Sequence, residues 1–195
     1  MEPIILASAS PRRQEYFRLL GLPFSSLSPS VTECIDVGEE PRSAAVRLAA
    51  QKVDSIVQIL KKDRPAWVVG ADTIIALDGK IYGKPLTMED AARILRLFSG
   101  KTHAVYSAVA LYNPNSRAID CRSVLSAVTF APLSDGEIEW YLTTGEWIDA
   151  AGAYKIQGRA SCFITRIEGS YSSIVGLPLH EFYAMLKANG YPYGG

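Results

Sequence analysis

Apolar residues along this chain recur with two different periods, and their alternation predicts the architecture. Ile4–Ala7 is a short unbroken apolar run, the pattern of a buried strand. A helix is expected next. Ser10 stands at its N-cap position, Pro11 suits its first turn, Tyr16, Phe17, Leu19 and Leu20 form an apolar stripe, and Gly21 stops it. Phe24–Leu27 reads as a second strand, followed by a polar loop that carries Glu33. From Pro41 to Leu60, Ala45, Ala49, Val53, Ile56 and Leu60 keep helical spacing, with Lys52 at the edge of the stripe. Trp67–Val69 and Ile74–Leu77 read as two strand-like runs flanking Gly70-Ala71-Asp72-Thr73, and Asp78-Gly79 signals a hairpin turn. Thr87 and Ser134, each followed three residues later by an acid, open two further helices. Val105–Tyr112 and Ile119–Phe130 are long β-rich segments joined by Asn113-Pro114-Asn115. A strand over Cys162–Ile167 and a helix from Leu179 to Asn189, ended by Gly190, follow. The tail from Tyr191 to Gly195 is expected to be loosely held.

Strands and helices in alternation, with hairpins between them, define an α/β fold with a mixed sheet and flanking helices. A chain of 195 residues buries a sizeable core as one domain, and 48% hydrophobic against 21% charged residues is the composition of an ordinary globular protein. Twenty basic residues balance twenty acidic ones, so no global field recruits nucleic acid or an anionic membrane, and any anion site has to be local. No apolar run is long enough to span a bilayer or to act as a signal peptide. Cys34, Cys121 and Cys162 are scattered and never form a C-x-x-C pair, which reads as reduced thiols in a cytoplasmic protein. With only His103 and His180 beside them, a zinc site lacks ligands at suitable spacing, while hard, oxygen-preferring cations remain open.

Against this background a few residues stand out. Arg12 and Arg13 fall in the first turn of a helix, where the macrodipole disfavours positive charge unless an anion compensates. Asp72 lies in a stretch that is apolar on both sides, where a carboxylate needs a cation, a metal or several N–H donors. Each has an ordinary alternative, a solvated arginine pair or an aspartate closing a turn. Lys52, Lys84 and Glu33 are unremarkable singly, although Lys84 sits in the constrained turn Tyr82-Gly83-Lys84-Pro85. Together, two arginines, two lysines and two carboxylates in loops or at element ends form a parts list for a polyphosphate and a divalent cation. The small-residue segment Asp149–Gly158 contains Gln157, whose amide offers a donor and an acceptor suited to a base edge. Gly100-Lys101-Thr102 is not the end of a P-loop, because the motif's first glycine would fall at Leu95. The nucleophile elbow, the dinucleotide fingerprint and the zinc-protease helix are all missing from the sequence, so both histidines read as structural.

LASASPRRQEYFRLL, VVGADTIIALDGKIYGKP, LFSGKTHAVYSAVAL and DAAGAYKIQGRASCFITRIEGSYSSIVGLPL, with the spacing between them, resemble the Maf family of nucleoside triphosphate pyrophosphatases from about Ile4 to the final helix. The resemblance implies a fold like that of the inosine triphosphate pyrophosphatases, with two lobes around a cleft. It implies hydrolysis of a nucleoside triphosphate to the monophosphate and pyrophosphate with Mg²⁺ or Mn²⁺. Asp72 matches the family's catalytic acidic residue, a proton acceptor; Arg12, Thr73 and Gln157 match positions tied to substrate choice; Arg13, Glu33, Lys52 and Lys84 match polar residues lining the pocket, with Glu33 and Asp72 expected to hold the metal. GADT with AGAYKIQG is similar to the branch acting on dTTP and UTP, and Lys155 stands where AGAYGIQG has glycine. The branch acting on 7-methyl-GTP is the alternative within the family, and a nucleotide-binding regulator of septum formation without turnover is the alternative outside catalysis. A homodimer is suggested by the family alone.

Overall fold

A computed structural model describes residues 1–60 and 66–193 of the chain. The strands are β1 (Ile4–Ala7), β2 (Phe24–Leu27), β3 (Trp67–Leu77), β4 (Lys80–Tyr82), β5 (Thr102–Asn113), β6 (Ala118–Phe130) and β7 (Ile164–Glu168). The helices are α1 (Pro11–Leu19), α2 (Pro41–Ile59), α3 (Met88–Phe98), α4 (Asp135–Thr143), α5 (Tyr171–Val175) and α6 (Leu179–Ala188). One seven-stranded mixed sheet runs in the order β2-β1-β3-β5-β6-β7, with β4 paired to the end of β3. β1 lies parallel to both β2 and β3, and the pairs from β3 through β7 are antiparallel.

Side chains alternate across β3 and, as far as Ile74, fill two cores on opposite faces. Trp67, Val69 and Ala71 pack with Phe17 of α1 and with Phe182, Met185 and Leu186 of α6. Val68 and Ile74 pack on the opposite face against Ala45, Leu48, Ala49, Val53 and Ile56 of α2. A third core occupies the far end of the sheet, where Leu95 and Phe98 of α3 and Ile138 and Tyr141 of α4 meet Ile75, Leu77, Val128 and Phe130. Among the described residues no helix is long and apolar enough to cross a membrane.

Four details depart from the sequence-based expectation. β3 is one uninterrupted strand through Gly70-Ala71-Asp72-Thr73 rather than two runs flanking a break. A Cβ at Gly70 would meet the Ala49 carbonyl oxygen at 2.8 Å and Val53 Cγ2 at 2.9 Å, so this glycine admits α2 to the sheet instead of making a turn. Ser10 occupies the N-cap of α1 without capping it through its side chain, and of the helix's apolar stripe only Phe17 is buried. The last strand begins at Ile164, because Arg159–Phe163 forms a 3₁₀ turn, and the short α5, capped by Ser170, was not expected at all. The tail is held: Tyr191 packs edge-on against Trp67 and donates to the Glu2 carbonyl at 2.5 Å, and the Tyr193 hydroxyl donates to the Leu20 carbonyl at 3.1 Å. Gly194 and Gly195 lie outside the described residues.

Candidate active site

The sheet has a gap in it. β1 stays paired with β3 through Leu6 and Val69, and β4 begins pairing at Ile75, so between them residues 70–74 of β3 have no strand along that edge among the described residues. α1 leaves the end of β1 toward one face while α2 arrives at β3 across the other, which makes this a topological switch point of the kind where α/β sheets bind ligands. A cleft of about 910 Å³ opens there. Arg12, Arg13, Glu33, Lys52, Asp72, Thr73, Lys84 and Gln157 all line it.

The β1–α1 connection supplies the first wall. The Ser10 N–H donates to Ser8 Oγ at 3.2 Å, and with no side chain capping α1 the main-chain donors of its first turn remain available to an anion. Arg13 is fixed: Nε donates to the Gly176 carbonyl at 2.9 Å and Nη1 to Ser8 Oγ at 3.3 Å. Arg12 makes no hydrogen bond or ion pair among the described residues. Burial lowers the pKa of both guanidinium groups, opposed chiefly by Asp149 at Arg12 and by Asp72 at Arg13; arginine stays charged regardless.

Lys52 is not at the edge of a helical stripe but buried in mid-helix, and Asp72 is in mid-strand rather than at an element end. The Lys52 ammonium lies between two carboxylates, 2.5 Å from Asp72 Oδ1 and 2.5 Å from Glu33 Oε1. Burial raises the Glu33 pKa, but the hydrogen bond and charge of Lys52, helped by Lys84 and Arg13, outweigh it and hold the carboxyl below its usual range. Asp72 Oδ2 makes no hydrogen bond among the described residues, so it is free to accept from a ligand or a water. Lys84 follows β4, in a loop pinned by the Gly152 N–H donating to the Gly83 carbonyl at 3.0 Å.

The opposite wall runs from Ile148 to Gln157. It is a chain of tight turns: Asp149, Gly152 and Ala153 all have positive φ. The Lys155 N–H donates to the Tyr141 hydroxyl at 3.2 Å and the Arg159 N–H to Glu146 Oε2 at 2.8 Å, which bracket Gln157 from both sides. Beneath it, Tyr154 is buried and bonded at 2.8 Å to His103, whose ring stacks on Phe98. Five cationic and three acidic side chains line the cleft as a whole, a net charge of +2.

Sequence reasoning missed Ser8, Asp149 and Gly176. Asp149 lay inside a segment already singled out, whereas the main-chain carbonyl of Gly176 carries no signal in sequence.

Backbone and cleft together define a mixed α/β protein with a cationic cleft at the switch point of its sheet. The fold is shared with the Staphylococcus aureus Ham1 protein, at a TM-score of 0.50 and 12% identity over 96% of this chain and 99% of that one. The chain itself belongs to the Maf family, described as Maf-like protein, whose model matches residues 3–189. It is 45% identical to a dTTP/UTP pyrophosphatase of Salmonella typhimurium, covering 96% of this chain and 93% of that one. Proteins of the same name from Geobacter metallireducens and Symbiobacterium thermophilum are 43% and 42% identical, covering 96% and 98% of this chain and 96% of each relative.

Proposed function

We propose that this chain hydrolyses dTTP and UTP to the nucleoside monophosphate and pyrophosphate. The observation that carries the reading is the buried Lys52 ammonium between Glu33 and Asp72, facing the unpaired first turn of α1 across one cleft. The α1 N-terminus and Arg12 grip the phosphate chain, with Arg13 fixed behind them and Lys84 closing on it from the β4 side. Asp72 Oδ2 accepts a proton from water as the water oxygen bonds to the α-phosphorus. The bond from that phosphorus to the bridging oxygen breaks, and pyrophosphate leaves with its charge held by the cations of the first wall.

A divalent cation fits this site. A triphosphate carries about four negative charges near neutral pH, and a lining of net +2 leaves room for a doubly charged ion. Among the described residues no three His, Cys, Asp or Glu form a metal cage, but Mg²⁺ commonly takes one or two carboxylates and completes its shell with phosphate oxygens and water. Glu33 and Asp72 would hold Mg²⁺ or Mn²⁺, which would polarise the phosphates and lower the pKa of a bound water. Gln157 and Thr73 are the groups through which the nucleoside is chosen.

The test is turnover of dTTP, UTP, CTP, dATP, GTP and 7-methyl-GTP with Mg²⁺ or Mn²⁺, the products separated so that pyrophosphate is told from phosphate. Monophosphate and pyrophosphate from dTTP and UTP are expected. Turnover of 7-methyl-GTP alone would move the chain to the other branch, and binding without hydrolysis would make it a regulator.

A further inference from the structure

Behind Thr73 lies a chain of hydroxyl groups that the reaction does not use. Consecutive residues of β3 point to opposite faces, so while Asp72 meets Lys52 of α2, Thr73 turns toward α5. Thr73 Oγ1 lies 2.8 Å from Ser107 Oγ, its cross-strand neighbour on β5. Ser107 is fully buried, and its hydroxyl donates to the main-chain carbonyl of Ser173 in α5. That carbonyl is itself fixed, since Ser173 Oγ donates to the Ser170 carbonyl at 2.7 Å and lies 2.8 Å from Ser126 Oγ, which accepts the Ser170 N–H at 3.0 Å. Arg13, donating to Gly176, anchors the other end of the same helix.

The proton count along this chain has one solution. A hydroxyl carries one proton, and a carbonyl oxygen only accepts. Ser107 gives its proton to Ser173, so toward Thr73 it can only accept, and Thr73 has to donate. The Thr73 proton is thereby taken up inside the protein, and the half-buried oxygen offers the cleft lone pairs alone. An unconstrained threonine would offer either.

We infer that Ser107 is a positioning residue that makes Thr73 an obligate hydrogen-bond acceptor, selecting nucleotides that present a donor to it. This rests on the proposed hydrolysis of pyrimidine triphosphates. The donor is an N–H or O–H of the nucleoside. Two such donors are common to UTP and dTTP: the imide N–H of the base, which cytosine lacks, and the sugar 3′ hydroxyl.

The experiment measures kcat and KM for UTP, CTP and 3′-deoxy-UTP in the wild-type chain and in Ser107→Ala, Ser107→Cys, Thr73→Val and the Ser107→Ala/Thr73→Val double variant, with thermal melts alongside. Ser107→Ala frees the Thr73 proton to turn into the cleft. The preference for UTP over CTP, or over 3′-deoxy-UTP, should fall about fivefold, the factor one neutral hydrogen bond is worth. Which ratio moves tells which donor Thr73 takes. Thr73→Val should lower the same ratio, and the double variant should lower it no further than Thr73→Val does, because both changes remove one device. Ser107→Cys keeps the volume and replaces the hydroxyl with a weak donor and acceptor, so it should lower the ratio even where Ser107→Ala fails to fold. A shifted melting temperature with both ratios unchanged would overturn the inference, as would effects that multiply in the double variant. A wild-type chain that hydrolyses UTP without discriminating on either pair overturns it alone. A chain with no UTP turnover overturns the proposed reaction with it.

Discussion

The two walls of the cleft are held together in different ways. On one side, charged groups stand on regular elements: Lys52 in the middle of α2, Asp72 in the middle of β3 and the arginines on the first turn of α1. Each buried charge there needs a partner, so Lys52, Glu33 and Asp72 fix one another to within hydrogen-bond distance. On the other side, residues 148–157 run through turns with positive φ and are held by main-chain N–H groups, Gly152 to the Gly83 carbonyl and Lys155 to Tyr141, with Arg159 just beyond bonded to Glu146. The position of Gln157 is therefore set by its neighbours' backbone rather than by its own side chain. Changes to the charged groups of the first wall should cost rate or phosphate binding, and changes on the second should alter what is recognised.

Asp72→Asn is the most severe way to break this contrast. It should lower kcat on the order of a thousandfold, the range of a lost general base, with the fold kept, because the amide oxygen still accepts from Lys52 and Glu33 still pairs with that lysine. Near-normal turnover would show that the first wall only binds.

The second wall has an acid weakness of its own. Burial lowers the pKa of His103 to about 4, while the unfolded chain keeps the ordinary value of 6.5. Between those values the unfolded state holds more protons than the folded one, so this contribution is fully present above pH 6.5 and is lost as pH falls toward 4. The loss should reach about 3 kcal/mol, read as the drop in urea-unfolding stability between the two pH values. It should shrink in His103→Gln, and an equal drop in both proteins would refute the assignment.

Arg12→Ala tests binding without scaffolding. Because Arg12 has no partner among the described residues, its loss should raise KM roughly tenfold to a hundredfold, the worth of a hydrogen bond to a charged group, and leave the melting temperature alone. Arg13→Ala should lower the melting temperature as well, because it also frees Gly176 and Ser8. The smallest effect belongs to Gln157→Ala, which should change the ratio of kcat/KM between UTP and CTP about fivefold with kcat for UTP largely kept.

Charge made much of the first wall legible in the sequence. An aspartate among valines and isoleucines, or two arginines opening a helix, is costly enough to demand a reason. Local propensity misled wherever a distant partner overrode it. Gly70 and Asp72 look like a break between strands, yet the strand continues because α2 packs over the glycine and Lys52 pairs with the aspartate. Tyr191 looks like part of a loose end and is pinned by Trp67 and Glu2, residues far from it in sequence. The serine chain gave no signal, because one serine resembles another until the fold places Ser107, Ser126 and Ser173 together. The segment from 170 to 176 has the composition of a loop and becomes a helix because Ser170 caps it and Ser126 and Arg13 hold its two ends.

The unpaired edge of β3 also bears on how such a protein can diversify. Because the cleft reaches around that edge, two adjacent codons address different faces of the sheet. The one for residue 72 is tied to a charge cluster in which a neutral replacement leaves the buried Lys52 with Glu33 as its remaining carboxylate partner. The one for residue 73 hydrogen-bonds a neutral hydroxyl, that of Ser107. Descendants of this gene can therefore explore new substrates at the second position while inheriting the chemistry intact at the first.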